Sequence, residues 1–197
     1  MRVLAFVDRE IEVRLVARLK EGDPAAFDAV YEAYRPRLFG FLVRLSRRRD
    51  VAEDLLEETW LRLVARRATL DEDARLAPWL FTVARNLYFS WRRSRAVDGD
   101  RTSELDPSWP APETGASPFA SAARAELERR VEAALARLPL RDRELLLLVG
   151  VEGLTPSEAA GVCGVPAVTL RARLHRARER LAAEMGGGRA LPKAKAG

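Results

Sequence analysis

Apolar residues in this chain recur at spacings of three and four, the period of a helix face, and almost nowhere at spacings of two. Phe27, Val30, Tyr31, Tyr34, Leu38, Phe41, Leu42 and Leu45 fall on one such face. Asp23 stands ready to cap that helix, with Pro24 at its first position. Pro36 lies inside the run and is expected to kink or split it. A second stripe, Val51, Leu55, Thr59 and Leu63, follows Asp50. A third, with Trp79, Leu80, Val83, Leu87 and Trp91, opens at Pro78. With a helix over Glu10 to Lys20, the N-terminal part reads as a four-helix bundle.

Helical spacing returns after Pro118. Leu127, Val131, Leu135 and Leu138 form a stripe that ends at Pro139, and a further helix is expected from about Leu140 to Val151. Gly153 permits the turn out of it. Thr155-Pro156-Ser157-Glu158 is a capping box opening a short helix that stops between Gly161 and Gly164. A last helix runs to about Met185, with Leu170, Leu174, Ala177 and Leu181 facing inward. No Asn-Gly or Asp-Gly turn separates two strand-like runs. The expected fold is all-α: two helical domains, 1–95 and 118–185, joined by a flexible linker over 96–117. Prolines and five carboxylates against one Arg101 make that linker acidic and extended. A tail over 186–197, with four glycines and two lysines, is expected to be disordered.

Composition narrows the function. Lys and Arg total 34 against 29 Asp and Glu, a net charge of +5. The excess is nearly all arginine; the lysines are Lys20, Lys193 and Lys195. Arginine suits phosphates and base edges, because its planar fork donates two parallel hydrogen bonds. GC-rich coding would also enrich arginine, and both explanations stand. Cys163 is the sole cysteine, so no internal disulfide and no thiolate zinc site is expected, and the compartment reads as reducing. Met1 to Val7 is too short for a signal peptide, and no run approaches the roughly 20 apolar residues of a membrane span. The expectation is a cytoplasmic protein without membrane contact, cofactor or metal.

Three patterns carry chemistry. A capped short helix, a turn at Gly164 and a helix carrying Arg171, Arg173, His175, Arg176 and Arg178 form a helix-turn-helix arrangement. Its second helix would enter a major groove, where arginine pairs with guanine. A solvated, arginine-rich helix on an ordinary bundle is the plainer alternative. Trp79, Phe81, Tyr88, Phe89 and Trp91 interleave with Arg85, Arg92, Arg93 and Arg95, as a single-strand site requires. The plainer alternative makes most of those aromatics core, although Tyr88 and Phe89 lie off the Trp79–Val83–Leu87 stripe. Glu53, Asp54, Glu57 and Glu58 form an acidic face beside exposed-looking Leu56, Trp60 and Leu61. That face is either solvated or a dock for a basic helical partner. No histidine or pocket signal makes these carboxylates an acid/base pair, and Cys163 reads as a small buried hydrophobe.

The order of these parts resembles the bacterial extracytoplasmic-function (ECF) sigma factors of the sigma-70 family. Gly22-Asp23-Pro24-Ala25-Ala26-Phe27 resembles the family's opening motif, Asp50 to Leu55 with Trp60 its core-binding helix, and Trp79 to Asn86 its promoter-melting segment. Leu138-Pro139, Glu152-Gly153-Leu154, Glu158-Ala159-Ala160 and Val168 to Arg178 resemble its sigma-4 signature. Ser90, Val149, Val168 and Ala172 depart from residues common in relatives.

The resemblance implies roles. Asp54, Leu55, Glu57, Trp60 and Leu61 would dock on the clamp helices of the largest subunit of RNA polymerase core. Asn86 would hold a base flipped from the −10 strand, with Trp79, Arg85, Tyr88, Arg92 and Arg93 around that DNA. Thr169, Arg171, Ala172, Arg173, His175 and Arg176 would face the −35 major groove. The flap of the second-largest subunit and an anti-sigma protein are further implied partners. The implied function is promoter recognition and strand opening within the polymerase holoenzyme, without catalysis by the chain itself. The alternative is a stand-alone helix-turn-helix regulator that binds duplex DNA tightly by itself, usually as a dimer.

Overall fold

A computed structural model describes residues 9–97 and 118–186. Among the described residues eight α-helices run in order: α1 (Arg9–Lys20), α2 (Pro24–Ser46), α3 (Arg49–Arg66), α4 (Leu76–Val97), α5 (Pro118–Arg137), α6 (Leu140–Leu146), α7 (Pro156–Cys163) and α8 (Ala167–Gly186). A 3-10 turn, Arg67–Thr69, follows α3, and a π-helical turn, Leu147–Val151, continues α6. No strand occurs among the described residues. The expected linker and tail lie outside them, apart from the last turn of α4 and Gly186.

Local chemistry sets the helix ends. The Asp23 carboxylate accepts from the Ala25 amide at 2.9 Å and caps α2. α2 then runs unbroken through Pro36, so the expected split does not occur. A buried carboxylate from another helix starts α4: Glu12 of α1 accepts from the Leu76 amide at 2.9 Å. Arg75 pairs with the second oxygen of Glu12 at 3.0 Å. The capping box forms as expected, with Thr155 Oγ1 accepting from the Glu158 amide and Glu158 accepting from the Thr155 amide. Gly164 closes α7 at φ +64°, a left-handed conformation that glycine adopts without a Cβ clash.

One connected apolar core runs through both helix groups, α1–α4 and α5–α8. Val30, Leu38, Phe41 and Leu42 of α2 meet Leu63 of α3 and Leu80, Phe81 and Ala84 of α4, all fully buried. Leu147, Leu148 and Leu170 are fully buried in the second group. Leu127 departs from the expected stripe: it is exposed, while Leu135 and Leu138 are buried.

Ion pairs and a ring contact join the two groups. Arg37 donates to the Glu152 carboxylate at 3.0 Å and to the Glu152 carbonyl at 2.6 Å. Arg44 donates to Glu132 at 2.6 and 2.9 Å. Arg143 donates to the Arg44 carbonyl at 3.0 Å, and Arg75 reaches Glu158 at 3.3 Å. Arg85 pairs with Glu144. The Arg141 guanidinium lies 4.2 Å from the centre of the Phe89 ring. Buried charges survive in an interior only when paired in this way.

Candidate nucleic-acid interface

α8 divides cleanly into two faces. Leu170, Leu174 and Ala177 are buried against α6 and α7. Arg171, Ala172, Arg173, His175 and Arg176 are all exposed, and Thr169 is half-buried. His175 lies 3.5 Å from Glu179 one turn on. Arg180 instead turns back to pair with Asp142 of α6, which ties the helix to its own scaffold. The capped α7, the Gly164 turn and α8 form a helix-turn-helix with a basic outer face.

On α4 the expected residues separate. Asn86, Ser90, Arg92, Arg93 and Arg95 are exposed, and Trp79 and Trp91 are half-buried. Tyr88, expected beside the −10 DNA, faces the interior. It is 4% exposed, and its hydroxyl donates to the Leu45 carbonyl at 3.0 Å. Burial raises its pKa further. Phe89 is buried as well, with Arg85 4.7 Å and Arg141 4.2 Å from its ring centre. Both rings are covered because α4 packs on α2 and α3 along one side and on α7 along another. Arg85, expected beside phosphates, is held by Glu144 in this arrangement.

On α3, Glu53, Asp54, Glu57 and Leu61 are exposed. Glu53 and Glu58 are engaged by Arg49 and Arg62 on the same helix. Leu56 and Trp60 are buried, against the expectation that they stand on the surface. Trp60 packs between Tyr31 and Phe27, at 5.0 and 6.1 Å between ring centres. Leu55 is buried too. Leu55, Leu56 and Trp60 therefore lie beneath the acidic face, while Asp54, Glu57 and Leu61 form its exposed surface.

The Sigma-70 region 2 family matches residues 30–97, and the Sigma-70 region 4 family matches residues 128–181. The ECF RNA polymerase sigma factor EcfG of Rhodopseudomonas palustris is 37% identical over 148 residues, covering 75% of this chain and 78% of that protein. The RNA polymerase sigma factor CarQ of Myxococcus xanthus is 34% identical over 165 residues, 83% of this chain and 91% of that one. The chain belongs to the ECF sigma factors of the sigma-70 family. Among solved structures, the sigma factor RpoE of Bartonella quintana, in complex with the anti-sigma factor NepR, matches with a TM-score of 0.68. It is 28% identical and covers 83% of this chain and 98% of that one.

The two matched regions put the acidic α3, the basic end of α4 and the helix-turn-helix in one alternative sigma factor acting in transcription initiation. The stand-alone regulator is set aside, because it would not require the region 2 match. No helix among the described residues is long and apolar enough to cross a membrane. Sequence reasoning missed the charges that join the helix groups of this sigma factor. Arg143, Glu144 and Glu152 are all under 10% exposed. The only trace in the sequence is a charged run, Arg141-Asp142-Arg143-Glu144, between leucines. Cys163 packs at the edge of the core, where burial and Glu144 push its pKa up to about 12.

Proposed function

We propose that this ECF sigma factor brings RNA polymerase core to promoters through three faces of the chain. The division is a sigma-2 unit over 1–95, a linker over 96–117, a sigma-4 unit over 118–185 and a tail over 186–197. Asp54, Glu57 and Leu61 dock on the clamp helices of the largest subunit, on a face shaped by Leu55 and Trp60. Asn86 holds a base flipped from the −10 strand, Trp79 stacks nearby, and Arg92 and Arg93 follow the phosphates. Flipping costs about a few kcal/mol of unstacking, which contacts to the flipped base and to core polymerase must offset. Arg85 joins that surface once it leaves Glu144. Arg171, Ala172, Arg173, His175 and Arg176, with Thr169 beside them, face the −35 major groove. The sigma-4 unit also meets the flap of the second-largest subunit.

The carrying observation is the outer face of α8. Exposed arginines lie opposite its buried leucines, directly after a capped helix and a left-handed glycine. The chain acts in the cytoplasm and performs no catalysis itself. It also binds an anti-sigma protein, a reading supported by the Bartonella sigma factor found in complex with NepR. The test measures promoter capture by core polymerase with and without the chain, and maps strand opening with a probe for unpaired thymine. Arg171→Ala is expected to weaken duplex capture, and Asn86→Ala to reduce opening after capture. Capture by the chain alone, unchanged by core polymerase, contradicts the reading.

A further inference from the structure

Val168 is 75% exposed, the most exposed large hydrophobic residue among those described. A lone exposed valine on an ordinary surface needs no explanation. The position of this one does. It lies in the first turn of α8, in the helix that the proposed function places in the major groove. At 100° per residue, Val168, Ala172, His175 and Glu179 fall along one line, and all four are exposed. That line runs opposite the buried Leu170, Leu174 and Ala177. Arg171 flanks it on one side and Arg176 on the other, both exposed. The centre of the outward face is therefore apolar at its N-terminal end, between two arginines.

Groove chemistry gives that arrangement one natural partner. The N-terminal residues of a recognition helix contact base edges. The edges exposed in the major groove are hydrogen-bonding groups, except for the thymine methyl. Valine has no side-chain donor or acceptor. Pressed against any other base, it would strip water from a polar edge and return no hydrogen bond.

We propose that Val168 reads a thymine methyl group in the −35 element, while Arg171 and Arg176 supply the polar contacts around it. This inference rests on the −35 role proposed for α8. Val168 favours thymine and disfavours a polar edge at that position, so it sets part of the promoter choice.

The test uses the holoenzyme of core polymerase and the full chain. A −35 window is first selected from randomised duplex templates. Each thymine in the selected window is then replaced by deoxyuridine, which removes the methyl and leaves the pairing edge intact. With the native chain, one replacement is expected to weaken holoenzyme binding about three- to fivefold, the range for burying one methyl group. Val168→Ala is expected to abolish that difference, and Val168→Thr, which keeps one methyl of the branch, to retain part of it. Circular dichroism melting checks that both variants fold. A window without thymine, or a methyl effect of equal size in the native chain and Val168→Ala, overturns the inference while leaving the sigma role intact. Failure to select any window that depends on the chain overturns both.

Discussion

Arg85 of α4 and Glu144 of α6 form an ion pair between the two helix groups, 59 residues apart in sequence. Only 13% of the Arg85 side chain and 2% of the Glu144 side chain meet solvent. Arg141 reaches the other Glu144 oxygen at 3.3 Å, and the Cys163 thiol lies 3.7 Å from the first. Held against this carboxylate, the Arg85 guanidinium presents too little open surface to receive a DNA phosphate as well. Promoter contact by Arg85 therefore requires the α4–α6 pair to break.

Breaking the pair from the arginine side leaves the buried Glu144 carboxylate with Arg141 as its remaining guanidinium partner. Arg85→Ala is expected to cost about 3 kcal/mol, the low end for losing one partner of a buried pair. Urea denaturation measures it. Glu144→Gln keeps the shape and removes the charge. It is expected to loosen the two groups, seen as a larger radius of gyration by X-ray scattering. An unchanged denaturation midpoint in the first variant and an unchanged radius in the second would contradict this account of the interface.

Neighbours on α4 should behave differently. Tyr88→Phe removes the hydroxyl that satisfies the Leu45 carbonyl. It is expected to cost about 1–2 kcal/mol of stability and to leave promoter opening intact. Asn86 is exposed, so Asn86→Ala should leave the melting temperature within experimental error and reduce opening at the −10 element. Paired melting and opening measurements check the contrast. A Tyr88→Phe variant that is stable but unable to open promoters would return Tyr88 to the DNA face.

The helix-turn-helix depends on its first cap. Thr155→Ala breaks half of the capping box and is expected to cost about 1 kcal/mol. Thr155→Ser keeps the oxygen and should cost much less. Thermal denaturation of the two variants tests the cap.

Stability should vary with pH on two limbs. Burial holds the Glu152 carboxyl above its ordinary 4.5, against the opposing pull of Arg37. The folded chain then binds more protons than the unfolded chain in the range above 4.5. Its stability falls as pH rises through that range toward the raised value. Glu152→Gln is expected to flatten this limb. Asp23 and Asp50 are shifted the other way, chiefly by hydrogen bonds from Arg18 and Arg48. Their contribution is present above 3.8 and is lost as pH falls through their lowered values. Asp23→Asn should shrink that acid limb and leave the Glu152 limb alone. Denaturation midpoints across pH measure both slopes.

Local features were legible in the sequence, because periodicity and capping act within a few residues. The Asp23 cap, the Thr155–Glu158 box, the Gly164 turn and the buried Leu170–Leu174–Ala177 stripe all form where the spacing puts them. The exposed arginines of α8 follow from the same spacing. What stayed hidden depends on which helix covers which. Tyr88 and Phe89 lie off the expected stripe, yet α4 is packed on more than one side and buries them. Trp60 reads as a surface anchor until Phe27 and Tyr31 of α2 close over it. Pairings such as Arg37 with Glu152, 115 residues apart, leave no local trace.

The central claim is that this chain directs RNA polymerase core to promoters. Run-off transcription by purified bacterial core polymerase, with and without the chain, tests it most directly, on templates with randomised −10 and −35 windows. The account predicts transcripts that require the chain, share a selected motif in both windows, and are lost with Asn86→Ala. Transcription that ignores the chain, together with tight, salt-sensitive binding of the chain alone to duplex DNA, would contradict it.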